Sequence, residues 1–142
     1  MANIIASATQ QAVRSFTEDA TSLNGKEDLL LALNSDGTVK LNDGAAPVGV
    51  MVGKFQNGQP QVSVRLLGNG GSFRVIQSEA ITVGARVMVD SAAKTKVKVF
   101  ATTSGAIARS IGIKVSDGSA TAGGAAGDVI EVLDLPQDDF TA

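Results

Sequence analysis

The stretch Gly44 to Val64, reading GAAPVGVMVGKFQNGQPQVSV, decides the fold. Its first run, Val48-Gly49-Val50-Met51-Val52, is too short and too rich in valine for a helix of ordinary length. The second, Val62-Ser63-Val64-Arg65-Leu66, alternates apolar with polar residues, the pattern of a strand with one buried face. Between them, Lys54 to Pro60 contains Asn57-Gly58, the strongest short signal for a chain reversal. The stretch therefore predicts a hairpin with a loop longer than the tightest turn.

Similar signals extend in both directions. Leu29 to Leu33 fits a short helix or a buried strand by periodicity, but Asn34-Ser35-Asp36-Gly37 is strong turn chemistry and Thr38 to Leu41 alternates after it, so a strand and a second hairpin are expected. Downstream, Phe73 to Ile76, Arg86 to Val89, Thr95 to Val99, Ala108 to Val115 and Asp128 to Leu133 read as strands, with Lys96 and Lys98 outward and Val97 and Val99 inward. Pro136 is expected to stop the last strand and leave a loose acidic tail. The predicted fold is all-β: an antiparallel β-sandwich or small barrel with an extended N-terminal arm. Residues 1–33 are read as arm and lead-in, 34–135 as the β-rich core and 136–142 as the tail.

Two segments align without gaps: Ala46-Pro47-Val48-Gly49-Val50-Met51-Val52 and Arg109-Ser110-Ile111-Gly112-Ile113-Lys114-Val115. Each carries apolar-Gly-apolar-x-apolar, and each is followed, after a turn-rich loop, by an alternating strand. One reading is two related hairpins lying close together in a sandwich or barrel; the other is that β-rich sequences resemble each other by composition. Gly49 and Gly112 would then mark places where backbones pack closely.

Composition narrows the chemistry. The 142 residues suffice for one domain with its own core, but there is no His and no Cys. This excludes disulfides, thiolate metal sites and thiol catalysis, and removes the commonest general base near neutral pH. Hydrophobic residues make up 44% and charged ones 18%, with mean hydropathy +0.17, which points to apolar surface meant for another chain. With five Phe and no Trp or Tyr, tight binding would need extended area. No run reaches the roughly 18 apolar residues of a membrane span, and the N-terminus lacks the pattern of a signal peptide. An intracellular product, or one released by lysis, is expected, with neither membrane nor nucleic acid as partner.

The net charge of −2 hides an asymmetry: residues 34–114 carry ten Lys or Arg against four acids, whereas residues 115–142 carry six acids and no base. Self-compensation within the globule is one reading, and head-to-tail contact between subunits is the other. Candidate sites are weak. The Gly118 to Gly127 loop is followed by Asp128 and a strand rather than the lysine, hydroxyl residue and helix of a phosphate loop. Gly68-Asn69-Gly70-Gly71 likewise precedes no helix. Ser91 with Lys94 lies in a solvent-facing turn, the carboxylate pairs Glu18-Asp19 and Asp138-Asp139 lie in segments expected to be mobile, and Asp117 with Asp128 lacks EF-hand spacing. No enzyme activity, no cofactor and no metal is expected. The uncharged segment Ala2 to Ala12 is the candidate partner-binding element, through Asn3, Ile4, Ile5, Thr9 and Gln10, ordering against a neighbour by strand addition.

The order of parts resembles the small head decoration, or cement, proteins of tailed bacteriophages. It rests on Ala46 to Val50 after a Gly-rich turn, Gln61 to Arg65, Ala80 to Val87, Ile111 to Ile113 and Ala126 to Val132, and it spans Asp36 to Leu135. The resemblance implies a non-enzymatic virion protein, made in the host cytoplasm and placed on the capsid exterior. There it would bind the major capsid protein, commonly as a homotrimer, and clamp neighbouring capsid subunits. The alternative reading is a phage fibre, spike or adhesin-type module, whose glycan sites usually want the Trp or Tyr platforms that this chain lacks.

Overall fold

The computed structural model describes residues 12–44, 46–102, 107–117 and 122–141. Its strands in chain order are β1 (Val13–Thr17), β2 (Leu30–Leu33), β3 (Val39–Leu41), β4 (Gly49–Lys54), β5 (Gln61–Leu66), β6 (Ser72–Ile76), β7 (Arg86–Val89), β8 (Val97–Val99), β9 (Ile107–Ser116) and β10 (Val129–Thr141). They form two antiparallel sheets, ordered β1-β5-β4-β2-β3 and β6-β10-β9-β7-β8, and the fold is all-β, consistent with a β-sandwich. In each sheet a single parallel bridge joins the two edge strands, Glu18 to Val39 in the first and Gln77 to Val97 in the second, so each sheet curls toward closure.

The two orders are the same order. Replacing each strand of residues 13–66 by the one five places later yields the sheet of residues 72–141. The registers agree residue by residue. Leu31 pairs Leu41 and Gly49 in the first half, as Val87 pairs Val99 and Gly112 in the second. Met51 faces Val64 as Lys114 faces Val132, and in both hairpins the register then shifts by one residue, leaving Val52 and Val115 as bulges. The aligned segments of the sequence thus occupy matching positions. Gly49 and Gly112 are matched for the same reason: a Cβ on either would stand 2.3 Å from a backbone oxygen of the neighbouring strand, Arg65 or Leu133. Asp28, the one non-glycine residue with positive φ (64°) among the described residues, sits where the second half has Gly84 (φ 91°); each donates its amide to the residue at the 51/114 position.

Each half builds its own core from matching residues. Leu23, Leu31, Val39, Val62 and Val64 fill the first, and Ile81, Val87, Val97, Ile130 and Val132 the second. The second core also takes in Leu30 and Val50 from the first half. The residues between 13 and 33 are not peripheral: β1 pairs along β5, β2 lies between β4 and β3, and Leu23, Leu30 and Leu31 are fully buried.

Two local expectations are corrected. The last strand does not stop at Pro136 but pairs with β9 as far as Thr141, with an irregular register between Asp134 and Asp138 that accommodates a residue without an N–H. Val99, expected inward, is 41% exposed, because it is the last residue of a short edge strand.

Candidate partner-binding surface

The predicted contact residues Asn3, Ile4, Ile5, Thr9 and Gln10 lie outside the described residues. Description begins at Ala12, whose carbonyl accepts from Leu66 N (2.7 Å) beside β5.

Both glycine-rich loops weighed as ligand sites are occupied by side chains of this chain. At Gly68 and Asn69, the backbone amides donate to the two carboxylate oxygens of Asp134, at 2.9 and 3.0 Å. Arg65 pairs with the same carboxylate at 3.0 Å and donates to the carbonyls of Leu66 and Gly70. In the other loop, Lys114 is fully buried and its ammonium donates to Gln77 Oε1 (3.1 Å), Ile81 O (2.6 Å) and Gly123 O (2.9 Å). It also lies 2.5 Å from Asp117 Oδ1, an ion pair off the line of a hydrogen bond, for that oxygen has no hydrogen-bond donor. Asp128 caps its own loop by accepting from Ala125 N (2.8 Å). Of the two carboxylates weighed as cation ligands, Asp117 therefore faces an internal ammonium and Asp128 caps its own loop. Neither Asp134 nor Lys114 stands out in the sequence. The available signal was alternation, because both occupy inward positions of otherwise apolar strands.

The first half solves the same problem with permuted residues. At the positions of Gln77, Lys114 and Asp117 it has Glu18, Met51 and Lys54, and Lys54 pairs with Glu18 (3.0 Å) and bonds Asn24 Oδ1 (2.7 Å). Of the remaining pairs weighed, Asp19 accepts from Thr21 N (2.8 Å), while Lys94 serves through its carbonyl, which accepts from Asn42 Nδ2 (2.7 Å). Among the described residues no three Asp, Glu, His or Cys gather as a metal site.

The halves meet along different faces. The first half contributes Asp28, Leu30, Asn42 and Val50; the second contributes Phe73, Arg74, Ile76 and the Lys94-Thr95 turn. Leu30 N donates to Thr95 O (2.9 Å), Ile76 N donates to Asp28 O (3.0 Å), and Arg74 pairs with Asp28 at 3.7 Å. An open cleft of about 470 Å³ runs along this seam, lined by Val13, Val52, Arg65, Phe73, Arg74 and Glu131 among others.

The most exposed large apolar residue described is Phe55, 97% exposed in the loop between β4 and β5. Val13, Val83, Val99, Val115 and Leu133 are each 38 to 47% exposed. No protein-family model matches the sequence, and no curated protein matches it.

Proposed function

We propose that this chain is a structural virion protein that binds the outside of the expanded phage capsid and stabilises contacts between major capsid subunits. The observation that carries the reading is Phe55, one of five aromatic residues in the chain, held in solvent at the end of a well-anchored hairpin. An aromatic side chain in that position gives the fold nothing and fits an anchor for a pocket on another protein. The buried ionic groups act within the fold, because Lys114 cages one loop and Asp134 the other. The segments that resemble cement proteins supply the inner strands β4, β5, β9 and β10 of the two sheets. A protein that binds only the expanded lattice stabilises it by mass action, and many copies add.

The test is co-sedimentation with expanded, undecorated capsids. Binding should saturate at a copy number set by the lattice symmetry; failure to saturate overturns the reading. Phe55→Ala should keep the thermal midpoint and weaken capsid binding by about tenfold to thirtyfold, the burial of one aromatic side chain being about 2 kcal/mol. Deleting residues 1–11 should leave the core folded and weaken capsid binding as well.

A further inference from the structure

We infer that Lys54 and Asn24 join through an intramolecular isopeptide bond, formed by the folded chain itself with Glu18 as the proton relay. The inference is independent of the capsid reading. It starts from a coincidence between the halves: each gathers one amine, one carboxylate and one carboxamide, from different positions. In the second half these are Lys114, Asp117 and Gln77; in the first they are Lys54, Glu18 and Asn24. An ion pair needs only the amine and the carboxylate. In both halves the ammonium also donates to the carboxamide oxygen, which sets an amine against a carbonyl group.

The two triads differ in what they can do next. Lys114 divides its protons among Gln77 Oε1, Ile81 O and Gly123 O, and the Gln77 nitrogen is tied to the carbonyls of Gly123 and Ala125 at 3.1 and 2.9 Å. That amine is caged, and that carboxamide nitrogen is held in place. Lys54 is placed otherwise. Its side chain is 1% exposed, and its ammonium donates to both Glu18 oxygens (3.1 and 3.0 Å) and to Asn24 Oδ1 (2.7 Å). The carboxylate is pinned by the amide of Leu23 (2.8 Å), the fully buried residue next to Asn24. Asn24 itself is exposed, which gives a departing nitrogen a way to solvent. Amine, relay and carbonyl group are thus pre-positioned with water kept from the amine, and proximity of this kind replaces a separate catalyst.

The chemistry balances without a co-reactant. Glu18 takes a proton from the Lys54 ammonium, and the freed Nζ lone pair attacks Asn24 Cγ. The Cγ–Nδ2 bond then breaks with its electron pair on nitrogen. One ammonium proton stays on the new amide; the others pass through Glu18 to the departing nitrogen, which leaves as ammonium and returns Glu18 to the carboxylate. The bond spans 30 positions of the chain and closes a loop that holds β2, β3 and β4.

Mass spectrometry of the denatured full chain tests this. Wild type should be lighter than its sequence by one ammonia, about 17 Da, and a protease digest should contain one branched peptide joining Asn24 to Lys54. Lys54→Arg, which keeps the charge beside Glu18, and Asn24→Ala, at an exposed position, should each restore the full mass with unchanged circular dichroism. Glu18→Gln, which removes the relay, should do the same. A wild type of full mass with no branched peptide overturns the inference. So does a mass loss that persists in Lys54→Arg, since attack of the Gly25 amide on Asn24 releases the same ammonia and makes no branch. A branch between Lys114 and Gln77 in place of Lys54 and Asn24 overturns it as well.

Discussion

At single positions the two halves serve as controls for each other. Gly49→Ala and Gly112→Ala each drive a Cβ into a backbone oxygen at 2.3 Å, which no rotamer change relieves. Each should lower stability in urea by about 3 kcal/mol. Gly53→Ala, with nothing within 4 Å, should leave the midpoint within about 0.5 kcal/mol. Titration is also local. The Thr38 hydroxyl and amide hold the Asp36 carboxyl below its usual range, the Ala92 amide does the same for Asp90, and Lys40 does so for Asp43. Asp43 in turn raises the Lys40 pKa. Depressed carboxyls contribute stability that is present above their unfolded pKa of 3.8 and lost as pH falls through the folded value. The raised lysine contributes below its unfolded 10.5 and is lost as pH climbs through its folded value. The thermal midpoint should therefore drop below about pH 4, and Asp36→Asn combined with Asp90→Asn should flatten that drop.

At the level of strands and loops, much was legible in the sequence. Alternation, Asn-Gly turns and the paired segments around Gly49 and Gly112 locate β2 to β10 and the two central hairpins. β1 was not legible, since Val13 to Thr17 is an exposed edge strand whose only half-buried residue is Phe16. The continuation of β10 past Pro136 was hidden by a residue that ends most central strands. The polar plugs were hidden for a different reason: each acts between residues distant in sequence, and a lone lysine at an inward position does not announce its four oxygens. Lys114→Met, which copies the first half's Met51, should cost about 3 to 5 kcal/mol because it leaves the Asp117 carboxylate and the Ile81 carbonyl without the ammonium. Adding Gln77→Glu and Asp117→Lys reconstructs the first half's arrangement, and should recover at least half of that loss in denaturant melts.

Across the whole molecule, the join between the halves is tied by a nearly buried ion pair, Arg65 with Asp134, besides the exposed pair of Arg74 with Asp28. Arg65 and Asp134 are both nearly buried, and together they fix residues 66–70, the turn leading from β5 to β6. Arg65→Ala leaves the Asp134 carboxylate without its cation; an equilibrium loss of about 3 kcal/mol is expected, with faster amide exchange at Gly68 and Asn69. The duplication also sets an order of events during synthesis. Every strand of the first sheet comes from residues 13–66, and its core takes nothing from later residues, whereas the second core needs Leu30 and Val50. The first module can close while the second is still in the ribosome, and its finished surface is then the template on which the second condenses. Two modules with interchangeable strand orders would otherwise compete for one another's hairpins; emergence in sequence keeps each strand with its own sheet.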